Sequence, residues 1–236
     1  MIKIDRRSIR SAKNGFNRLE LMAVVAAVVV LAILLILGSA VMKEDSVPTR
    51  CRANLAQITK AFLLYAQDNH GLLPDCSLRN RHFYGPSWPW DMNTNLVQDL
   101  MERGVARQAL YCPANPGMND PSHWDFPNVT STPNRIVGYG FLLYGSREVP
   151  RAFWCRDVQG GDGQPPSRKE LGMDATMSMN GDYTDVRGLL KDRTSHLKGN
   201  TPLGGNISFE DGHSEWRDFK DMQQRFSTGA NVIWVF

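Results

Sequence analysis

The longest apolar stretch of the chain runs from Leu21 to Met42 and contains no charged residue. As a helix it would extend about 33 Å at about 1.5 Å per residue, which matches a hydrocarbon core of about 30 Å. A single strand could not satisfy its backbone hydrogen bonds in lipid. The pattern therefore predicts a transmembrane helix over 21–42, and the alternatives are a buried core helix or a conventional signal peptide whose cleavage site would be Gly38-Ser39-Ala40.

A second apolar pattern follows at helical spacing. Apolar residues recur three or four positions apart, which is typical of an amphipathic helix: Cys51, Leu55, Ile58, Phe62 and Tyr65. Asn69-His70-Gly71 then supplies residues that end helices. We expect one long helix over 16–70, apolar in its first half and amphipathic in its second, with bends at Gly38 and Pro48.

The remainder, residues 71–236, is rich in turn-forming clusters and forms a predicted loop-rich head. Near its end, 206–209 and 214–216 flank a turn that contains Asp211-Gly212, which is a strong signal for a hairpin because both positions can take a positive φ. The predicted fold class is α+β, with the long N-terminal helix packed on a head that contains a small antiparallel sheet.

Charge is distributed unevenly, although the whole chain carries only +3. Residues 1–15 hold five lysines and arginines against the single acidic residue Asp5, so the remaining residues are slightly negative. A basic leader before an apolar helix places the N-terminus in the cytoplasm and the head outside. No basic stripe with interleaved aromatic residues follows, so a nucleic-acid partner is not expected.

The junction between the leader and the apolar helix carries a compact motif. Gly15 directly precedes Phe16, and an acidic residue, Glu20, stands just before the uncharged stretch. These residues resemble the signal of type IV prepilins and type II secretion pseudopilins. The resemblance implies a pilin-like fold, cleavage after Gly15 by a prepilin peptidase, methylation of the new amine of Phe16, and pairing of Glu20 with the N-terminus of a neighbouring subunit.

Further motifs resemble a pseudopilin-like family of planctomycete and verrucomicrobial bacteria, described by a histidine, nine residues and Asp-Gly. The matching segments begin at Cys51 and Asn69, continue with Leu110-Tyr-Cys112-Pro113, and end with the Asp211-Gly212-His213 segment. Here fourteen residues separate His196 from Asp211. By this resemblance, His196, Asp211, Gly212 and His213 are the signature residues.

The cysteines and acidic loops are the candidate binding chemistry. The four cysteines are Cys51, Cys76, Cys112 and Cys155, and the absence of a Cys-x-x-Cys pair argues against zinc. An exported head permits disulfides, but the sequence leaves two, one or none open, in any pairing. The acidic loop residues predict solvated turns, with calcium as the alternative: Asp157, Asp162, Asp182 and Asp185. No cofactor or metal is assigned.

The predicted function is structural rather than catalytic. We expect a filament subunit located as a single-pass protein of a bacterial inner membrane, with a cytoplasmic N-terminus and a periplasmic head. Its partners would be a prepilin peptidase, other pilin or pseudopilin subunits and the membrane. One alternative is a tethered or secreted binding protein that exposes a loop with Trp88 and Trp90. Another is an enzyme that holds a metal with His196, Asp211 and His213, although Asp211 is first of all a turn residue.

Overall fold

The computed structural model describes residues 17–77, 79, 82–83, 88–124, 134–158, 163–186 and 193–236, without the side chains of 33–46 and 230. The chain divides into two compact units, Met1–Asp45 and Ser46–Phe236. The helix α1, Arg18–Asp68, has residues in both. The predicted leader 1–15, its cleavage position after Gly15 and the new N-terminal Phe16 lie outside the described residues.

The first unit contains the beginning of α1. The side chain of Asn17 accepts a hydrogen bond from the Leu19 N–H at 3.4 Å, and Glu20 Oε2 accepts one from the Asn17 N–H at 3.0 Å. This reciprocal arrangement is a capping box, which satisfies backbone donors that the first helical turn leaves without partners. From Arg18 to Ala32 every described side chain is exposed.

No helix within the described ranges is both long and apolar enough to cross a bilayer. The predicted single-pass location in a bacterial inner membrane, with a periplasmic head, is therefore wrong.

In the second unit, the amphipathic part of α1 is confirmed. Four of the five stripe residues are buried, and the fifth is half-buried: Cys51, Leu55, Ile58, Phe62 and Tyr65. The helix ends at Asp68, and the next turn reverses through His70 (φ +57°) and Gly71 (φ +84°). The Gly71 N–H donates to the Ala66 carbonyl at 2.8 Å, so the predicted helix-ending residues close the last turn.

The described remainder of the second unit contains short strands, two further α-helices and six short 3-10 helices. In chain order the strands and α-helices are β1 Asp91–Asn93, α2 Thr94–Glu102, α3 Pro121–Trp124, β2 Asn134–Ile136, β3 Tyr139–Phe141, β4 Glu170–Asp174, β5 Met177–Met179, β6 Leu197–Lys198, β7 Thr201–Pro202, β8 Gly204–Phe209, β9 Ser214–Asp218, β10 Gln224–Thr228 and β11 Val232–Val235. Over the described ranges the strands pair antiparallel into four sheets, β1-β2, β10-β11-β5, β3-β4-β8-β9 and β6-β7.

The four-stranded sheet packs against the second part of α1. The rings of Phe62 and Phe141 meet edge to face with centroids 5.2 Å apart, and the Thr59 hydroxyl donates to Ser208 Oγ at 2.8 Å. At the N-terminal end of this contact, the Tyr139 hydroxyl donates to the Cys51 carbonyl at 3.4 Å. These contacts place Cys51 beside the sheet.

The predicted fold class is wrong. The sequence suggested one small antiparallel sheet under a helix with a membrane half and an amphipathic half. The described head instead consists mostly of strands in several antiparallel sheets, and residues 18–32 of α1 are exposed rather than packed on a sheet. The reason is that seven of the eleven described strands have only two to four residues, too few to show a two-residue period clearly. Pairings such as Trp234 with Met177 are also set by contacts far apart in the sequence.

One carboxylate connects the two largest sheets. Glu170 of β4 binds Arg217 of β9 through Oε1 at 2.5 Å and Arg225 of β10 through Oε2 at 2.6 Å. The Glu170 side chain is only 11% exposed, so both pairs are partly shielded from water. The three-stranded sheet is thereby fixed to the edge of the four-stranded sheet next to the ends of β4 and β8.

Candidate functional site

The structure selects one of the cysteine arrangements that the sequence left open. Cys51 of α1 and Cys112 form a disulfide with their Cα atoms 5.0 Å apart, whereas Cys76 and Cys155 are buried and lie outside this disulfide. Burial, reinforced by the nearby charge of Asp75, raises the pKa of the Cys76 thiol to about 12. Cys76 is therefore a neutral, unreactive thiol at physiological pH.

A buried carboxylate lies beside this disulfide. Asp174, the last residue of β4, accepts hydrogen bonds at Oδ2 from the backbone N–H and the side-chain amide of Asn206, both at 2.7 Å. The same oxygen lies 3.0 Å from His196 Nε2. Its other oxygen, Oδ1, has no hydrogen-bond partner in the described part of the chain, although the side chain is fully buried.

His196 is positioned by an unusual backbone conformation and by its neighbours. It has a φ of +55° directly before β6, and its carbonyl accepts the Leu203 N–H at 3.0 Å. A positive φ is uncommon outside glycine and turns the side chain away from the direction that an extended residue would give it. The ring of Trp216 meets the imidazole of His196 edge to face, with the ring centroids 5.1 Å apart, and so helps to hold the imidazole in place.

The imidazole of His196 contacts both the disulfide and the carboxylate of Asp174. His196 Nε2 lies 3.3 Å from Cys112 Sγ, and one donor atom from each of four buried residues lies within 4.8 Å of the others: Cys51, Cys112, Asp174 and His196. We call this set the CCDH cluster. The imidazole and the carboxylate are close enough to share a proton, and the two sulfurs could join them as metal ligands once the disulfide is reduced.

The sequence identified only part of the CCDH cluster. Cys51, Cys112 and His196 were candidates, but nothing in the sequence joined them or singled out Asp174 and Asn206. Asp174 follows an ordinary apolar strand, and Asn206 lies 32 residues further on, so no local spacing relates them. The pairing of β4 with β8 is what brings them together.

Asp211, Gly212 and His213 form the predicted hairpin turn instead of joining His196. β8 and β9 pair around them, Gly212 has a φ of +92°, and Asp211 Oδ1 accepts from the His213 N–H at 3.1 Å and contacts its Nδ1 at 2.5 Å. Burial alone would raise the pKa of Asp211, but the hydrogen bonds from His213 outweigh it and lower the pKa. The His213 ring stacks on Phe209 at 4.3 Å. This is an exposed turn pair rather than part of a metal site with His196.

The remaining candidates lie elsewhere. Glu20 belongs to the first unit, where it caps α1. Asp182 accepts two hydrogen bonds from Thr184, which lower its pKa, as in the solvated turn that the sequence predicted. Trp90 is fully buried and stacks with Trp88 at 5.4 Å, so it is a core residue and not part of an exposed binding loop.

Comparison with known proteins adds no support to the sequence motifs. No known protein family, no characterised protein and no solved structure gives a match to this chain. The resemblance of the segment around Gly15, Phe16 and Glu20 to prepilins therefore stays a prediction.

Proposed function

We propose that this chain is a structural subunit of the pilin or pseudopilin type, cleaved by a prepilin peptidase and assembled with further copies by stacking of its N-terminal helix. The observation that carries the proposal is the exposure of residues 18–32, where apolar side chains point in every direction around α1. Leu19 is 74% exposed, Met22 69%, Val28 59% and Leu31 59%. Successive residues of a helix are rotated by about 100°, so these positions lie around the whole circumference.

A helix that is apolar all round requires cover on every side. A groove on another protein would cover one stripe, and the helix that fits it carries polar residues opposite. Parallel copies of the same helix cover the whole circumference, because each copy meets several neighbours. This supports other copies of the chain, rather than one unrelated partner, as the occupants of the apolar surface.

Glu20 supplies a polar element that can fix the register of the stack. It lies in the first turn of α1, near the position where cleavage after Gly15 would create the α-amine of Phe16. Between apolar helices a lone carboxylate is costly unless a cation pairs with it. The α-amine of Phe16 on a neighbouring subunit is such a cation. In the isolated chain Glu20 caps α1 by accepting the Asn17 N–H, so its two roles must be separated experimentally.

Glu20→Gln is expected to abolish assembly of the mature chain. Glutamine can keep the capping hydrogen bond with Asn17 but cannot neutralise an α-amine. The concentration at which assemblies form should therefore rise at least about 100-fold, as is typical when one partner of a buried ion pair is removed. The measurement is sedimentation and negative-stain electron microscopy of the full chain expressed with a prepilin peptidase.

Two further variants make the test specific. Glu20→Ala removes the cap as well as the charge, and should assemble no better than Glu20→Gln. Glu102→Gln changes an exposed glutamate at the end of α2, where it accepts a hydrogen bond from Gln98 at 2.9 Å, and should assemble like the parent chain. Normal assembly of Glu20→Gln, or a parent chain that stays monomeric with an exposed α1, would contradict the proposal.

The mass of the mature chain tests processing independently. Removal of the first 15 of the 236 residues would leave 221 residues that begin with Phe16. We expect this mass, increased by one methyl group, only in cells that contain a prepilin peptidase. Cleavage at a different bond in such cells, or no cleavage, would rule out processing as a prepilin.

A further inference from the structure

In the CCDH cluster, one ring nitrogen of His196 lies close to two different acceptor atoms. His196 Nε2 faces Asp174 Oδ2 at 3.0 Å and Cys112 Sγ at 3.3 Å. One ring nitrogen carries either a single proton or a lone pair, so it cannot donate a good hydrogen bond to both neighbours. Asp174 Oδ1 meanwhile lacks a hydrogen-bond partner among the described residues. Once the disulfide is reduced, a cation between the two sulfurs, the imidazole and the carboxylate could bond to all four groups.

The burial of the Asp174 carboxylate also favours a cation at this site. Its side chain is completely buried, and the ion pair that the described ranges show for it is with His196 at 3.0 Å, which carries a positive charge only when it is protonated. A buried carboxylate is stable only when hydrogen bonds and a positive charge compensate for the lost hydration. Asn206 supplies the hydrogen bonds, but its amide groups are uncharged.

We propose that the reduced chain binds one zinc ion through Cys51 Sγ, Cys112 Sγ, His196 Nε2 and the carboxylate of Asp174. Two thiolates, one imidazole and one carboxylate form a complete tetrahedral set, and this mixture of soft and borderline donors suits Zn²⁺ rather than Ca²⁺ or Mg²⁺. All four residues are at most 5% exposed, so the site is closed. The ion would be structural.

The dimensions of the cluster fit one ion. Zinc bonds of about 2.0 to 2.3 Å in a tetrahedral arrangement place the ligand atoms about 3.3 to 3.8 Å apart. The four donor atoms already lie within 4.8 Å of one another. The widest pair must approach by about 1 Å, and the two sulfurs must separate once the disulfide is reduced.

The surroundings hold the ligands in place. The two hydrogen bonds from Asn206 fix Asp174, and Trp216 packs against the imidazole of His196. Such outer contacts orient metal ligands and commonly change metal affinity by about 10- to 100-fold when they are removed. The four ligands come from α1, the segment after Leu110, the end of β4 and the residue before β6, so no short spacing in the sequence reveals the site.

The disulfide and the zinc ion exclude each other, because both use the same two sulfurs. A dithiol reductant such as dithiothreitol gives two electrons and two protons to the disulfide and is itself oxidised to a cyclic disulfide. The products in the chain are the thiols of Cys51 and Cys112. Binding of Zn²⁺ then forms two Zn–S bonds and releases those two protons to the solvent.

Metal loading of the reduced and oxidised chain tests the proposal. The full chain is reduced with dithiothreitol without oxygen, desalted, mixed with zinc chloride, desalted again and analysed by elemental mass spectrometry. We expect about one zinc per reduced chain, as for a closed structural site, and less than about a tenth of that per oxidised chain. Equal loading of both forms, or no loading of the reduced form, would overturn the proposal.

Matched variants locate the ion. His196→Ala and Asp174→Asn should weaken zinc binding at least about 100-fold in competition with a chromogenic chelator, since each removes or neutralises a ligand. Asp211→Asn with His213→Ala changes the same residue types in the exposed turn and should bind zinc like the parent chain. Loss of zinc in this turn variant with retention in Asp174→Asn would place the ion elsewhere and overturn the assignment.

Cobalt provides a readout that requires no substitution. Co²⁺ added to the reduced parent chain should give the intense visible absorption of tetrahedral cobalt, together with a thiolate-to-cobalt band in the near ultraviolet. Reoxidation to the disulfide should remove both. A weak octahedral spectrum would contradict the four-ligand site even if the ligand variants failed to fold.

Discussion

Replacement of both Cys51 and Cys112 by alanine is expected to lower the free energy of unfolding by about 4 kcal/mol in oxidising, chelator-containing buffer. The disulfide joins positions 61 residues apart, and closing a loop of that length restricts the unfolded chain by about this amount. Both cysteines are fully buried, so lost packing adds to the effect. Urea unfolding monitored by circular dichroism measures it.

The same comparison under reducing conditions isolates the contribution of the crosslink. With dithiothreitol and a chelator present, the parent chain also lacks the disulfide. The difference in the free energy of unfolding between parent and variant should then fall to the contribution of the packing of two sulfur atoms. Alanine at both Cys76 and Cys155, which are buried and lie outside the disulfide, should cost less than the first variant and respond little to reductant. A difference that persists unchanged in dithiothreitol would contradict the disulfide.

Trp234→Ala is expected to lower the free energy of unfolding by about 3 to 5 kcal/mol, the range for truncating a fully buried large aromatic residue. Trp234 lies in β11 with no exposed surface, and its ring centroid is 5.2 Å from that of Trp90. It also covers the backbone at Gly140, where even a methyl group would come within 2.7 Å of the indole. The cavity would therefore open between two sheets.

Trp234→Phe serves as the matched control. The indole Nε1–H has no hydrogen-bond partner in the described part of the chain, so phenylalanine removes an unsatisfied donor while keeping most of the ring. Its cost should be clearly smaller than that of Trp234→Ala, because phenylalanine fills much of the space of the indole and leaves a smaller cavity. A loss for Trp234→Ala no larger than that for Trp234→Phe would show that the position is not central to the core.

Features encoded by local patterns were predictable from the sequence. The stripe from Cys51 to Phe62 follows the helical period, and the turn at Asp211-Gly212 has the residues that a hairpin requires; both are confirmed. The turn at His70 and Gly71 also ends the helix as expected. In each case a few neighbouring residues decide the conformation.

Features that depend on distant pairing were not predictable. The single predicted sheet is replaced by several, because the three-residue strand β5 gives no readable alternation and pairs with β11 more than fifty residues later. The burial of Asp174 was not predictable, because a carboxylate at the end of a strand usually faces solvent. Its burial follows from Asn206, which only the register of β4 against β8 places beside it.

The contact between Thr59 of α1 and Ser208 of β8 has a consequence for synthesis of the protein. The two residues are 149 positions apart, and a ribosome adding about 5 to 20 residues per second needs about 7 to 30 s between them. During that interval the apolar stripe of α1 has already left the ribosome but lacks the strands that cover it. A nascent chain of this kind is a natural client for chaperones that bind apolar helices until translation is complete.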